Sequence, residues 1–480
     1  MWLRKVRTYP LLSLAMLMIL NSHASADSLK DALASAYSNS PRLQAERARL
    51  RETDETYIQA RSQSRPTITL AGTAAGSAVR TPQFSFLGPV EEQTETITGT
   101  PVQAQLEILQ PIYQGGRLRA QRQQALSSIL AARENLRSAE QNALLEAATA
   151  YADVIRDEAI TRIRRNDVRV LARQREAAQI TFDVGQGTRT DMAQADSRLA
   201  ASNIGLASAD AQLEVSRAAF RRAIGRAPVD LQPIPSVVIP NSVEEAIGVS
   251  LEKNPDLRAA YHNRSAIGRN IDIARSSTKP SVSLSATAAS QREQILGFGQ
   301  ADAFTITAQV SVPLFSAGFN QSRIRQATEV KTRLGYEIEQ AELEIIEAVT
   351  QLWAQFSAAQ SILISSDVQV EAAKLAFEGV TLEQEVGTRT MLDVLDAEQE
   401  VLNAEINHLN AQRDLDVAIF QMLTMMGTFT AESLSLTIDA YDPGKNLEIV
   451  RSDKLHRLGQ RVLPSFVSDD IFEEHEGTSP

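Results

Sequence analysis

Glu385-Val386-Gly387-Thr388-Arg389-Thr390-Met391-Leu392-Asp393-Val394-Leu395-Asp396-Ala397 interrupts a helical region that is otherwise very long. From Leu314 to Asp442 the chain has no proline, and apolar residues keep helical spacing on both sides of Gly387. The break therefore reads as the turn of a helical hairpin. Thr390 followed three positions later by Asp393 is a capping box, in which the Thr side chain accepts from a free N–H at the helix start and the Asp reaches back. The second helix is expected to start near Thr390.

Working outward, the pattern around this break is written twice. Ser28 to Leu70 aligns with Ser242 to Leu284 at a constant offset of 214, placing Pro41 on Pro255, Leu43 on Leu257 and Pro66 on Pro280. Past a loop that is 12 residues longer in the first half, the offset is 202. There Pro111-Ile112-Tyr113 meets Pro313-Leu314-Phe315, Gly116 meets Gly318, Gly185 meets Gly387, and Asp191 meets Asp393. Two homologous repeats are expected, at 27–235 and 236–437, joined near Pro233 to Pro240, with helical tips at about 182–191 and 384–393.

Each repeat has one grammar. A short helix runs to Pro41 or Pro255, where proline in a first turn can open the next helix. That helix stops before Pro66 or Pro280, because the residue before proline disfavours the helical region. The period then changes to two in Thr67-Ile68-Thr69-Leu70 and Ser281-Val282-Ser283-Leu284-Ser285. Return strands follow, carrying Leu106, Ile108 and Ile112 in the first half and Phe304, Ile306, Ala308, Val310, Val312 and Leu314 in the second. These strand pairs, at about 66–113 and 280–315, are long enough to cross a bilayer when tilted. The intervening segments, about 79–94 and 291–302, read as hairpin loops. Helical spacing resumes after Gly115-Gly116 and after Gly318, with a seam through Ile129, Ala132, Leu136, Ala139, Ala143, Ala147, Ala150 and Val154. A helix of about 65 residues would be roughly 100 Å long.

At the N-terminus Arg4, Lys5 and Arg7 precede the apolar run Leu11 to Leu20, and Ala24-Ser25-Ala26 fits a small-residue cleavage site. A secretory signal peptide is expected over 1–26, with the mature chain starting at Asp27. No other run approaches the roughly 18–20 apolar residues of a spanning helix, so any membrane passage must use strands. The 480 residues contain no cysteine, which excludes disulfides, thiolate metal sites, cysteine nucleophiles and a lipid on an N-terminal cysteine. A net charge of −11 argues against a nucleic-acid surface. The five histidines show no metal spacing, and no phosphate loop, Gly-x-Ser-x-Gly or His-Glu-x-x-His occurs. No enzyme chemistry, metal or cofactor is expected. The segment 438–480 lies beyond the repeat and is expected to be flexible.

Four strands cannot close a barrel, and an open sheet in lipid leaves unpaired edges that cost several kcal/mol each. The chain is therefore expected to oligomerise, and three copies would supply twelve strands. The fold class is mainly α with membrane β.

In these features the chain resembles the TolC family of outer-membrane efflux proteins, across about Ser28 to Leu436. The resemblance is carried by Ala34 to Pro41 with Leu43, the mirrored Pro255 element, Gln110-Pro111-Ile112-Tyr113-Gln114-Gly115-Gly116, and Val386-Gly387-Thr388-Arg389-Thr390 with Asp393-Val394-Leu395-Asp396-Ala397. It implies a homotrimer with a twelve-stranded β-barrel in the outer membrane on an α-helical barrel in the periplasm. It also implies a passive exit duct for a tripartite efflux or type I secretion system, docked by a periplasmic adaptor and an inner-membrane pump of RND, ABC or MFS type. The lack of cysteine favours the non-lipidated branch. The reading of another class is a periplasmic coiled-coil scaffold without a pore.

Site residues follow from the same resemblance. Asp393 and Asp396, three apart on one helix face, match the acidic positions of the periplasmic constriction, where three-fold symmetry would gather six carboxylates. Arg389 matches the gate arginine, with Thr190 and Asp191 of the first tip as its partners. Gln384 departs from the family, standing where a gate tyrosine is found. Gly185 and Gly387, with Thr188 and Thr388, match the tips that receive the adaptor. Read from the residues alone, Asp393 is a helix cap, Asp396 a solvated helix residue and Arg389 a surface residue near a helix end, and the glycines are equally turn formers. Gln194 occupies the first-half place of Asp396, so only the second tip has both acids and is the one expected to move.

Overall fold

The computed structural model describes residues 27–82, 94–235, 237, 239–292 and 299–452. The expected signal peptide, residues 83–93 and 293–298 of the two expected hairpin loops and the end of the C-terminal segment lie outside these residues.

Helix starts are fixed by local chemistry. α1 (Leu29–Asn39) is capped by Ser28, α2 (Pro41–Ser62) by Ser40, α5 (Val243–Lys253) by Ser242 and α6 (Pro255–Ser276) by Asn254, with proline at the first position of α2 and α6. The long helices are α3 (Arg117–Asp183), α4 (Arg189–Ile224), α7 (Phe319–Glu385) and α8 (Met391–Met425). α3 and α7 have 67 residues each, about 100 Å at the α-helical rise. α3 pairs with α4 and α7 with α8, while α3 and α8 join the two hairpins, so the lateral order is α4-α3-α8-α7. Alanine at positions 139, 143, 147 and 150 of α3 is buried with Leu136 and Val154, which lets neighbouring helices approach closely.

The main core lies where the short helices wrap the long ones, around Leu33, Leu43, Leu50, Leu144, Phe220, Ile224, Phe420 and Phe429. Tyr151 is fully buried there, and its hydroxyl lies 2.7 Å from the carbonyl oxygens of Asp27 and Gln232. The Asp27 carboxylate also pairs with Arg226. The repeat is visible at single residues: Gly225 (φ +87°) turns the chain against Asn39, and Gly427 (φ +70°) turns it against Lys253.

The expected flexible tail is corrected over its described part. Beyond Leu436 the chain packs on α2, with Arg47 lying between the rings of Tyr37 and Tyr441 at 4.6 and 5.1 Å. α9 (Lys445–Ser452) buries Leu447, and Asn446 donates to Asp54 at 2.8 Å. Sequence periodicity could not find this, because an eight-residue helix has too few turns to show a face.

Asp416 on α8 carries one isolated cost. Burial pushes its carboxyl from the ordinary 3.8 up to about 6. The folded state thus holds its proton more tightly than the unfolded chain, so this group's contribution to stability falls as pH rises from about 4 through 6. Asp416→Asn should stabilise at pH 7 by about 1–2 kcal/mol after discounting for solvent screening, and should flatten that pH dependence. Thermal melts of both proteins at pH 5 and 7.5 check this; equal shifts at the two pH values would contradict it.

The strands are β1 (Thr67–Ala74), β2 (Ser77–Pro82), β3 (Thr94–Gly99), β4 (Val102–Gln114), β5 (Ser281–Arg292) and β6 (Gln300–Ser311). β1, β4, β5 and β6 form one antiparallel sheet in that order, so β4 and β5 join the repeats and β1 and β6 are its edges. In the first repeat the strand pair is broken at Ala75–Gly76 and Thr100–Pro101, and β2 with β3 makes a separate two-stranded sheet. β6 stops at Ser311, short of the expected Leu314, whereas Pro111 is accommodated in β4 where the register shifts. Register aligns the side chains in rows. Ile68, Ile108, Ala286 and Ile306 face each other across four strands, as do Leu70, Leu106, Ala288 and Phe304. The alternating rows, on the opposite face, are Thr69, Glu107, Thr287 and Thr305, and Thr67, Leu109, Ser285 and Thr307. Ile68, Leu70, Ile306 and Phe304 are each more than 60% exposed, so nothing among the described residues covers the apolar face.

Candidate functional site

Both hairpin tips close in the same way. At the first, Gly185 takes φ +77° after α3, and the N–H groups of Gln186 and Gly187 donate to Thr181. At the second, Gly387 takes φ +80° after α7, and Thr388 donates to the Glu383 carbonyl through its N–H at 2.9 Å and its hydroxyl at 2.8 Å. A side chain added at either glycine would meet nothing within 4 Å. Glycine is therefore required for its left-handed backbone, and open space remains in front of each tip. The helices restart with complete capping boxes, Thr188 with Asp191 and Thr390 with Asp393.

These caps account for several candidate residues. Asp191 accepts from the hydroxyl and N–H of Thr188, which hold its carboxyl below the ordinary value. Asp393 accepts from the Thr390 N–H at 2.9 Å and hydroxyl at 2.8 Å, and these bonds, with Arg389 adding to them, lower it too. Arg389 donates to Glu383 at 2.9 Å, with Asp393 at 3.9 Å. Within one chain Arg389 does not meet Thr190 or Asp191. Glu383, one turn before the tip, is its main partner and a residue that the motif did not mark.

Asp396 points elsewhere. Its carboxylate accepts from Arg198 of α4 at 2.5 Å, linking the second hairpin to the first. Asp393 and Asp396 are thus occupied separately, one by its cap and one by a cation across the helix interface. Two residues further along α8, Glu398 accepts from Gln174 of α3 at 2.9 Å, and burial raises the Glu398 carboxyl. The signal for Arg198 was present: its second-half counterpart is Glu400, and the counterpart of Asp396 is Gln194. Opposite charge patterns on facing helices mark a cross-link. Among the described residues no group of three or more His, Asp or Glu is arranged to hold a metal ion.

The family model for outer membrane efflux proteins matches residues 32–226 and 246–428, covering both repeats up to the turns at Gly225 and Gly427. The chain belongs to the outer membrane efflux protein family. It is 30% identical over 431 residues to the outer membrane efflux protein BepC of Brucella suis biovar 1, covering 89% of this chain and 91% of that one. It is 25% identical over 305 residues to the outer membrane protein TolC of Vibrio cholerae, covering 62% and 70%. Among solved structures, the outer-membrane channel OprN superposes with a TM-score of 0.69 at 23% identity, over 83% of this chain and 90% of that one, which shows a common fold. This family of channel proteins resides in the outer membrane, and its members work with adaptors and inner-membrane pumps. The long helices of this chain form its large periplasmic portion.

Proposed function

We propose that three copies of this outer membrane efflux protein close a twelve-stranded barrel on a helical barrel, forming a passive exit duct gated at the helical tips. The observation that carries this reading is the open four-stranded sheet with continuous apolar rows on one face. Its strands alternate in direction, so β6 of one copy would pair antiparallel with β1 of the next, as an even-stranded barrel requires. Ile204 and Val215 on α4 and Leu375 and Leu382 on α7 are uncovered on the outer helices, where neighbouring copies would pack. A coiled-coil scaffold without a pore has no use for an apolar sheet face. The duct has no catalytic role, and its cargo is set by the pump, of RND, ABC or MFS type, that docks through the adaptor. Gly185, Gly387, Thr188 and Thr388 would present the backbone that the adaptor meets.

At the gate, the Arg389 cluster with Glu383 and Asp393 braces the second tip, and the Arg198 to Asp396 link ties it to the first. In the trimer Arg389 would also face Thr190 and Asp191 of the adjacent copy. Such links are directional and separately weak, which suits a latch that adaptor contact opens. Removing the arginine should leave the pore wider at rest. Single channels of Arg389→Ser in planar bilayers should conduct more than wild type, while the heat-modifiable trimer is recovered equally from outer-membrane fractions. Equal conductance would remove Arg389 from the latch, and recovery of wild type as a soluble monomer would sink the barrel.

A further inference from the structure

We propose that the level where the strands meet the helices is a docking surface for anionic phospholipids of the periplasmic leaflet. This inference rests on the reading that the sheet crosses the outer membrane. The chain as a whole is acidic, at −11, yet its charge is reversed at this level. The windows 59–66, 112–128, 273–280 and 314–328 contain nine Arg and Lys residues and no Asp or Glu.

The fold brings these four windows together. The Gln110 amide of β4 donates to Ser64 O beyond α2 at 3.1 Å, and the Asn320 amide of α7 donates to Ser277 O beyond α6 at 3.2 Å. Gly115, before α3, packs so closely on the end of α6 that a Cβ would lie 2.5 Å from Ser276 O. The ends of α2 and α6 and the starts of α3 and α7 therefore share one level directly beneath the sheet. Arg119, Arg275, Lys279, Arg323 and Arg325 are exposed there. Three of the nine cations have polar partners, and those are a side-chain amide or backbone carbonyls; none meets a carboxylate among the described residues.

Between this basic collar and the apolar rows lies a second band. Leu314 and Phe315 are about nine-tenths exposed, Phe319 four residues on and Tyr113, the first-repeat counterpart of Phe315, are also exposed, and the Arg323 guanidinium lies 5.7 Å from the Phe319 ring centre. Apolar rows, then aromatic side chains, then unpaired cations follow the order of a leaflet: acyl chains, glycerol region, phosphate. Cations at that depth attract anionic headgroups, and among the described residues none of the nine is held in an ion pair by a carboxylate.

The test is lipid retention. Wild type and the Lys279→Gln/Arg323→Gln/Arg325→Gln variant are reconstituted in nanodiscs of phosphatidylethanolamine alone or mixed with phosphatidylglycerol, and bound lipid is counted by native mass spectrometry. Wild type should retain phosphatidylglycerol preferentially, the preference should fall as salt is raised, and the variant should retain it about tenfold less with phosphatidylethanolamine unchanged. Equal phosphatidylglycerol retention by both proteins overturns the proposal. So does stabilisation of the detergent-solubilised channel by inorganic phosphate with no lipid preference, which would make the collar a soluble-anion site. Loss of anion conductance in the variant with lipid retention intact would place the collar in the lumen and overturn it as well. Failure of wild type to insert in either nanodisc would instead remove the membrane reading on which the proposal rests. The salt dependence is read on wild type alone, so it decides the question even if the variant does not assemble.

Discussion

Gly427→Ala should abolish assembly, whereas Gly185→Ala should not. Both glycines are left-handed, at φ +70° and +77°. That conformation costs a residue with a side chain about 1–2 kcal/mol. At Gly185 nothing lies within 4 Å of the added carbon, so the backbone term is the whole cost. At Gly427 the added carbon would sit 2.2 Å from Lys253 O and 2.6 Å from its carbonyl carbon, both main-chain atoms. Those atoms end α5, and the Gly427 carbonyl also accepts from Arg137 at 3.1 Å, so neither side of the contact is free to move. Overpacking adds about 1–3 kcal/mol, bringing the total to about 2–5 kcal/mol, a large fraction of the stability of an ordinary domain. The heat-modifiable trimer should be lost for Gly427→Ala and retained for Gly185→Ala, with a modestly lowered melting temperature. Parallel behaviour of the two variants would show that the close approach at Lys253 is not what position 427 requires.

The second large effect concerns the sheet. Phe304 and Thr305 are neighbours in the middle of β6 but stand in different rows, Phe304 with Leu70, Leu106 and Ala288, and Thr305 with Thr69, Glu107 and Thr287. If the first row faces lipid, Phe304→Arg places a cation in hydrocarbon at a cost of about 2–4 kcal/mol in each subunit. Thr305→Arg would face the lumen, on a side that already carries Glu107. Outer-membrane fractionation should therefore lose Phe304→Arg and keep Thr305→Arg. Similar yields of the two variants, or loss of the Thr305 variant alone, would reverse or discard the assignment of faces. The comparison is strong because the two positions differ by one residue, share depth, and receive the same side chain.

Much of this architecture was legible from spacing. Period-two segments mark the strands, prolines at 41 and 255 open the second helix of each repeat, prolines at 66 and 280 mark the borders between helix and strand, and the two offsets reveal the duplication. The capping boxes at Thr188 and Thr390 were readable because a cap is a contact between residues three apart. Partners across the chain were a different matter. Within one chain the Arg389 guanidinium meets Glu383 and Asp393, while Thr190 and Asp191, the partners that the resemblance implies, belong to the proposed contact between copies, and Arg198 with Asp396 was marked by no motif.

What the sequence by itself determined is everything set by local chemistry: where helices begin and end, which strand positions are apolar, and that both tips need a residue without a side chain. What only the tertiary structure decided is which distant groups meet. The register placing Ile68 beside Ile108 and Ile306 in one row, the packing of residues 437–452 on α2, and the claim of Arg198 on Asp396 depend on how elements far apart in sequence are brought side by side. A long side chain such as arginine can reach several carboxylates around a helix tip. Which one it holds is fixed by the relative placement of two helices about 200 residues apart, and no spacing within either helix records that.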